Sequence, residues 1–306
     1  MRFKEPLKNL KKYMNNPIGF ILKNGTLVSV FFLFFSSFAY CNGANDLVEL
    51  FDTGGINWSK GIVEAKGTSE PFSKISSHEK MENKSIKSAQ QDALNNLFET
   101  VKEVRINSGL KVGQLIMKNG LLYSKVEEMI GAAQLVKQKY LSDGTVEIVL
   151  QMGLYGGFTQ LFLPSGIRQI EPIKQIGSKS SFSVKVPSEA VFTGLVVDMR
   201  GIYLDPAMVI SIMDETGKKV YGSAFAGREF AVQHGMCGYA HSFDYALKAP
   251  RVANNPLIVK GLKVENRKFD IVISNADAAK IRKTSENLTF LKKCRVIILV
   301  GGFKGN

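Results

Sequence analysis

Apolar and polar positions change period several times along the chain, and each change predicts a different element. Ile86, Ala89, Ala93, Leu94, Leu97, Val101 and Val104 recur at spacings of three and four, while Lys87, Gln91, Asn95, Asn96, Glu99, Lys102 and Glu103 fall mostly off that stripe. The pattern predicts an amphipathic helix over about 85–106, stopped by Asn107-Ser108-Gly109. It has no Pro or Gly inside it, and its apolar face calls for a sheet or another helix to pack on. The extended run Ile56–Gly67 just before it is the natural partner, across a polar loop at 68–83 that holds Pro71 and His78. That single loop histidine reads as surface.

A second helix is predicted over 121–132 from the stripe Leu122, Val126, Met129 and Ile130. The period then becomes two. Gln134–Leu141 reads as a strand, Ser142-Asp143-Gly144 as a turn, and Val146, Ile148, Leu150 and Met152 as the buried face of a returning strand. Gly153–Ser188 is rich in Gly, Pro and Ser, and 164–189 reads as a linker. The glycines at 153, 156 and 157 lack the Lys-Ser/Thr ending of a phosphate loop. Beyond them, strands are expected at 192–199, 206–213, 219–222, 257–264, 269–274 and 295–300. Helices are expected after Ser274, whose side chain is placed to cap, and at 285–293. The expectation is α+β: a lead-in at 40–55, a domain at 56–163 and a second at 190–306, each a mainly antiparallel sheet with helices packed on one side.

The amino terminus adds a location. Thr26–Tyr40 is apolar and uncharged but shorter than the roughly 20 residues a membrane-spanning helix needs. Arg2, Lys4, Lys8, Lys11, Lys12 and Lys23 precede it, and Ser37-Phe38-Ala39 ends it in small residues. This is the plan of a signal peptide over 1–39, cleaved after Ala39, with Met14 as an alternative start. Cys41 offers a second outcome, lipidation, although Tyr40 stands where that signal wants a small residue. An uncleaved anchor is the third. Each places the remainder outside the cytoplasm, in the periplasm or at the outer membrane. The net charge is +13, part of it in residues 1–39. The remaining bases are scattered and form no nucleic-acid motif, so no nucleic-acid partner is expected.

Trp58, the run Gly61–Gly67, Ala89, Ala93, Leu97, Val101, Val104-Arg105-Ile106, Val136–Tyr140, Asp143-Gly144 and Val146-Glu147-Ile148 carry a resemblance to the LPP-twenty lipoprotein family. That domain also resembles the amino-terminal domain of flagellar assembly protein T. The stretch 193–222, Gly235-Met236, Gly238-Tyr239, Asn255-Pro256-Leu257 and Asp270–Asp277 looks like the carboxy-terminal region that often accompanies it. The resemblance implies a non-catalytic envelope protein that binds or assembles, with envelope proteins, a self-assembling ring or a homo-oligomer as partners. A flagellar structure is one such assembly. Membrane association would run through Cys41 or through protein contacts.

Candidate chemistry is sparse. His234, Cys237 and His241 lie close in sequence, and imidazole and thiolate suit Zn or Cu if the loop folds back on itself, which makes a periplasmic metal-binding protein the alternative reading. Cys237 and Cys294 are a candidate disulfide in an oxidising compartment. Asp198, Asp205 and Asp214 sit at expected strand ends beside turns and read as turn residues. No nucleophile elbow or zinc-protease motif is present, so neither an enzyme nor a resident cofactor is expected.

Overall fold

The computed structural model describes residues 46–71, 78–107, 109–167, 191–265, 270–283 and 285–301. The signal peptide, its cleavage site, Cys41 and nearly all of the expected linker lie outside them. One compact unit runs Asn42–Asn306.

Its first region opens with strands β1 (Val48–Phe51), β2 (Gly54–Asn57) and β3 (Ile62–Thr68), then helix α1 (His78–Lys102). A small pair, β4 (Arg105–Asn107) and β5 (Leu110–Lys111), leads to α2 (Val112–Ile116) and α3 (Gly120–Gly131). Strands β6 (Gln134–Tyr140) and β7 (Val146–Gly153) follow, then α4 (Gly157–Phe162). The sheet is antiparallel throughout, in the order β1-β2-β3-β7-β6. The helical stripe holds: Ala89, Ala93, Leu97 and Val101 are fully buried against β3 and β7. The helix lies so close that a β-carbon on Gly67 would stand 2.1 Å from the Ala93 nitrogen. Glycine in the strand and two alanines on the helix therefore form one contact.

Two expectations for this region are corrected. The run 56–67 is two strands, because Gly61 takes a left-handed φ of 66° and turns the chain. The lead-in, expected to be flexible over 40–55, is mostly strand in its described part: Val48–Phe51 pairs with Gly54–Asn57, which brings the side chain of Glu49 to Trp58 and Arg105.

The second region holds β8 (Gly194–Asp198), β9 (Ser211–Asp214), β10 (Lys219–Tyr221), α5 (Arg228–His234), β11 (Gly238–Ala240) and α6 (Phe243–Lys248). Then come β12 (Pro256–Glu265), β13 (Asp270–Ile273), α7 (Asn275–Arg282), α8 (Ser285–Lys292) and β14 (Val296–Leu299). The sheet order is β10-β9-β13-β12-β8-β14-β11. Here the mainly antiparallel expectation fails. β8 runs parallel to β12 and β14, β14 to β11, and β9 to β13, leaving only β9/β10 and β12/β13 antiparallel. The reason lies in burial. Leu195, Val196 and Val197, like Val296–Leu299, are buried on both faces, as continuous apolar runs are in parallel sheets covered on two sides. Val196, Ile297 and Leu299 pack with Ala246 of α6 on one face, while Leu195, Val197, Val296 and Ile298 join the main core on the other.

That main core also contains Trp58, Leu97 and Phe158, so the two sheets share one apolar cluster. Polar bonds cross between them. The Arg105 and Ile106 carbonyls accept from the Met208 and Val209 amides at 2.9 and 2.8 Å. Arg105 Nε donates to the Pro206 carbonyl at 2.7 Å, and the Gly156 amide donates to the Val232 carbonyl at 2.7 Å.

Candidate functional site

Helix α5 ends at Gly235, whose φ of 79° reverses the chain and whose amide bonds the Ala231 carbonyl at 2.9 Å. Arg251 closes this helix end. Its guanidinium donates to the carbonyls of His234, of Gly235 at 3.3 Å and of Cys294 at 2.8 Å. Three main-chain oxygens that face the core thereby gain a cationic donor. Met236 and Cys237 follow, both buried, and β11 then carries Tyr239 inward. The Tyr239 hydroxyl donates to the Ala207 carbonyl at 2.8 Å and accepts from the Ala207 amide at 2.9 Å. The Tyr221 hydroxyl donates to the Met236 carbonyl at 2.6 Å. Tyr239 also meets Trp58 edge-to-face, ring centres 6.0 Å apart.

This geometry separates the expected metal ligands. His234 lies at the end of α5, with Nε2 3.3 Å from the Lys293 carbonyl, just before β14. His241 lies past β11, with Nδ1 3.3 Å from the Val300 carbonyl, just after β14. Because β11 between them is a strand parallel to β14, and not a loop folded on itself, the two imidazoles stand at opposite ends of β14. Among the described residues no group of three or more His, Cys, Asp or Glu is placed to hold a metal. Burial and the Arg251 charge lower the His234 pKa, which keeps that ring neutral.

Cys237 and Cys294 are brought into one buried cluster with Tyr221 and Arg251, and both are free thiols. Burial pushes the Cys237 thiol up to about 12, and burial likewise raises Cys294. A thiol so protonated is not a ready nucleophile. Asp198 and Asp214 hold turns, as the sequence suggests. Asp198 pairs with Arg200 at 2.7 Å, and Asp214 accepts from Thr216 Oγ1 at 2.6 Å and from Arg282 at 2.8 Å. Asp205 accepts from the Tyr203 hydroxyl at 2.6 Å.

Beside the Tyr155 ring is a cavity of about 20 Å³, lined by Trp58, Tyr155, Met208, Cys237 and Tyr239 among others. That is room for about one water, far below the roughly 300 Å³ at which small-molecule sites begin.

The accessible features lie elsewhere. Strand β6 is an edge of the first sheet, and its residues are exposed on both faces, with only Lys137 half-buried. Leu135 is 56% exposed, Val136 49% and Tyr140 53%, and Leu141 just beyond is 42% exposed. α1 packs mainly on β2, β3 and β7 and reaches β6 through the Glu82 carboxylate, which accepts from the Tyr140 hydroxyl. Among the described residues β6 pairs as a strand only with β7. The sequence places this strand but does not mark it as an edge. The available signal was that Gln134–Tyr140 lacks the clean alternation of its partner Val146–Met152.

Among the described residues no helix is long and apolar enough to cross a membrane. Comparison with known families corrects the resemblance drawn from the first region: neither the LPP-twenty family nor the flagellar assembly protein T family matches. No curated protein matches the chain. What does match is the second region. Residues 194–302, about a third of the chain and the span of all seven strands of the second sheet, are similar to the family described as Treponema pallidum Tp0624, second domain.

Proposed function

We propose that this chain is a non-catalytic, exported protein of the bacterial envelope that works by binding a protein partner within an assembly. The observation that carries the reading is β6, a seven-residue sheet edge whose outer side is unpaired among the described residues and whose Leu135, Val136 and Tyr140 side chains are exposed. Such an edge offers a row of main-chain donors and acceptors together with apolar anchors. The buried chemistry supports the same direction. Cys237 and Cys294 are buried, His234 and His241 each lie against a main-chain carbonyl at opposite ends of β14, and Asp198 and Asp214 are engaged in turns. Export rests on the charged leader and the apolar run Thr26–Tyr40.

The test is a photo-crosslinking residue placed at Val136 in cells, with Lys280 on exposed α7 as the control position. The expected result is a defined adduct from Val136, absent from Lys280, in the envelope fraction, on a chain whose intact mass shows loss of the leader. A full-length chain recovered from the cytosol would overturn export. Equal adducts from both positions, or none from Val136, would overturn the edge as the binding surface.

A further inference from the structure

The β6 edge also indicates what its partner is made of. This step rests on the binding reading above and adds the chemistry of the partner. Register places the side chains. Lys137 stands opposite Val149, Gln138 opposite Ile148, Lys139 opposite Glu147 and Tyr140 opposite Val146. Lys137 and Lys139 therefore share the face turned away from α1, and Gln138 and Tyr140 share the α1 face, where Gln138 donates to the Tyr140 hydroxyl at 2.7 Å. That hydroxyl bonds the Glu82 carboxylate of α1, so that carboxylate is already engaged. The pairing shifts between Leu135 and Lys137, so Val136 is the bulged residue, and the strand runs in unbroken register from Lys137 to Tyr140.

Three constraints follow. First, a row of outward amides and carbonyls is matched by an extended main chain and not by a helix. Second, β6 has no acidic residue, and Glu147, the carboxylate facing Lys139, is already shared with Lys66 at 3.4 Å. One face of the edge is thus cationic with little internal neutralisation. Third, a second copy fits poorly. Two β6 strands paired antiparallel would set lysines against lysines on the same face, and like charges directly opposed are destabilising.

We propose that β6 receives, as an added strand, an extended polypeptide segment in which acidic residues alternate with aliphatic or aromatic ones. The carboxylates would face Lys137 and Lys139, and the apolar side chains would lie beside Tyr140 on the α1 face. Lysines on an edge also serve simply to prevent self-association. A merely protective edge would show no preference for the sign of an incoming strand.

The experiment uses the mature chain and two short capped peptides, one alternating glutamate with valine and one alternating lysine with valine. Binding is read by fluorescence anisotropy, and the site by amide hydrogen exchange over 134–141. The glutamate peptide is expected to bind wild type and slow exchange across β6. Lys137→Glu/Lys139→Glu should weaken it roughly threefold to thirtyfold, as two exposed charge pairs allow, and should admit the lysine peptide instead. Lys137 is half-buried and Lys139 faces Glu147, so the charge reversal should also cost some stability. Lys137→Gln/Lys139→Gln, which sets no carboxylate against Glu147, should weaken the glutamate peptide while leaving the melting temperature near wild type. Equal binding of both peptides by wild type, or binding of the glutamate peptide without slowed exchange in β6, overturns the proposal. Concentration-dependent dimerisation that itself protects β6 also overturns it, assigning the edge to a second copy. If Val136 crosslinks in the envelope while the peptides show no charge preference, the acidic partner fails and the binding reading stands. If the peptides behave as expected but no adduct forms in cells, the binding reading fails.

Discussion

A β-carbon placed on Gly61 would stand 2.3 Å from Cζ of Tyr155. The tyrosine ring occupies the space that any other residue at 61 would fill, and Gly61 also holds a φ of 66°. On the ring's other side, a β-carbon on Gly235 would come within 2.8 Å of it. Tyr155 is therefore clasped by a turn of the first region and the end of α5 in the second. Gly61→Ala should destabilise the protein by about 1–3 kcal/mol through left-handed strain and displacement of the ring. Urea unfolding of Gly61→Ala, Tyr155→Ala and the double variant measures the coupling. If the two effects simply add, the clasp is not an energetic contact.

Arg105 joins the two sheets through the Glu49 carboxylate and the Pro206 carbonyl, and lies over the Trp58 ring at 5.5 Å. Its side chain is 10% exposed and that of Glu49 16%. Arg105→Met would strand a nearly buried carboxylate. The expected loss is about 2–4 kcal/mol, somewhat under the range for a fully buried pair because both groups keep some solvent contact. Glu49→Gln/Arg105→Met should recover part of it in the same denaturation assay. A loss below about 1 kcal/mol would mean that solvent already screens the pair.

The thiols give a third expectation. With Cys237 raised to about 12 and buried, neither Cys237 nor Cys294 should react with a thiol reagent at neutral pH until the protein unfolds. The alkylation rate of the folded chain should therefore follow the global unfolding equilibrium. Fast labelling of Cys237 under conditions where the chain stays folded would contradict the burial described here.

Acid stability turns on Asp214. Thr216, Arg282 and neighbouring amides hold its carboxyl well below the ordinary value of 3.8. Since the folded pKa is depressed, the contribution is fully present above the unfolded pKa and disappears as pH falls through the folded one. Wild type should therefore lose stability below about pH 4 with a slope that Asp214→Asn reduces. His234 acts over a higher window with the same sign. Its folded pKa is lowered by burial, so protonation in the unfolded chain lowers stability as pH falls below about 6.5. Melting temperatures across pH for His234→Gln and Asp214→Asn separate the two windows.

Local pattern reached the first region well. The stripe Ala89-Ala93-Leu97-Val101 and the alternation Val146–Met152 appear as the buried faces of α1 and β7, because a half-buried element writes its period into the chain. The second sheet was less legible. Runs such as Val296–Leu299, buried on both faces, carry no period, so strand direction could not be read from them and depended on helices whose ends lack strong signals. The candidate metal ligands are drawn apart for a related reason. A spacing of seven suits a closed loop and an extended strand equally, and the pairing of β11 with β14 selected the strand.

By itself, then, the sequence determined the buried stripe of α1 and the places of β6, β7, β8, β12, β13 and β14, because those choices rest on local periodicity and turn residues. α1 starts earlier than expected, at His78, and β11 falls in a stretch that reads as a loop. Tertiary structure alone decided which strand became an exposed edge, which glycines face a tyrosine ring, and that His234 and His241 end at opposite ends of β14. Those outcomes depend on contacts between residues far apart in the chain. Local pattern gives only the missing alternation of Gln134–Tyr140 as a trace of them, since an edge strand and a central strand differ chiefly in what lies beside them.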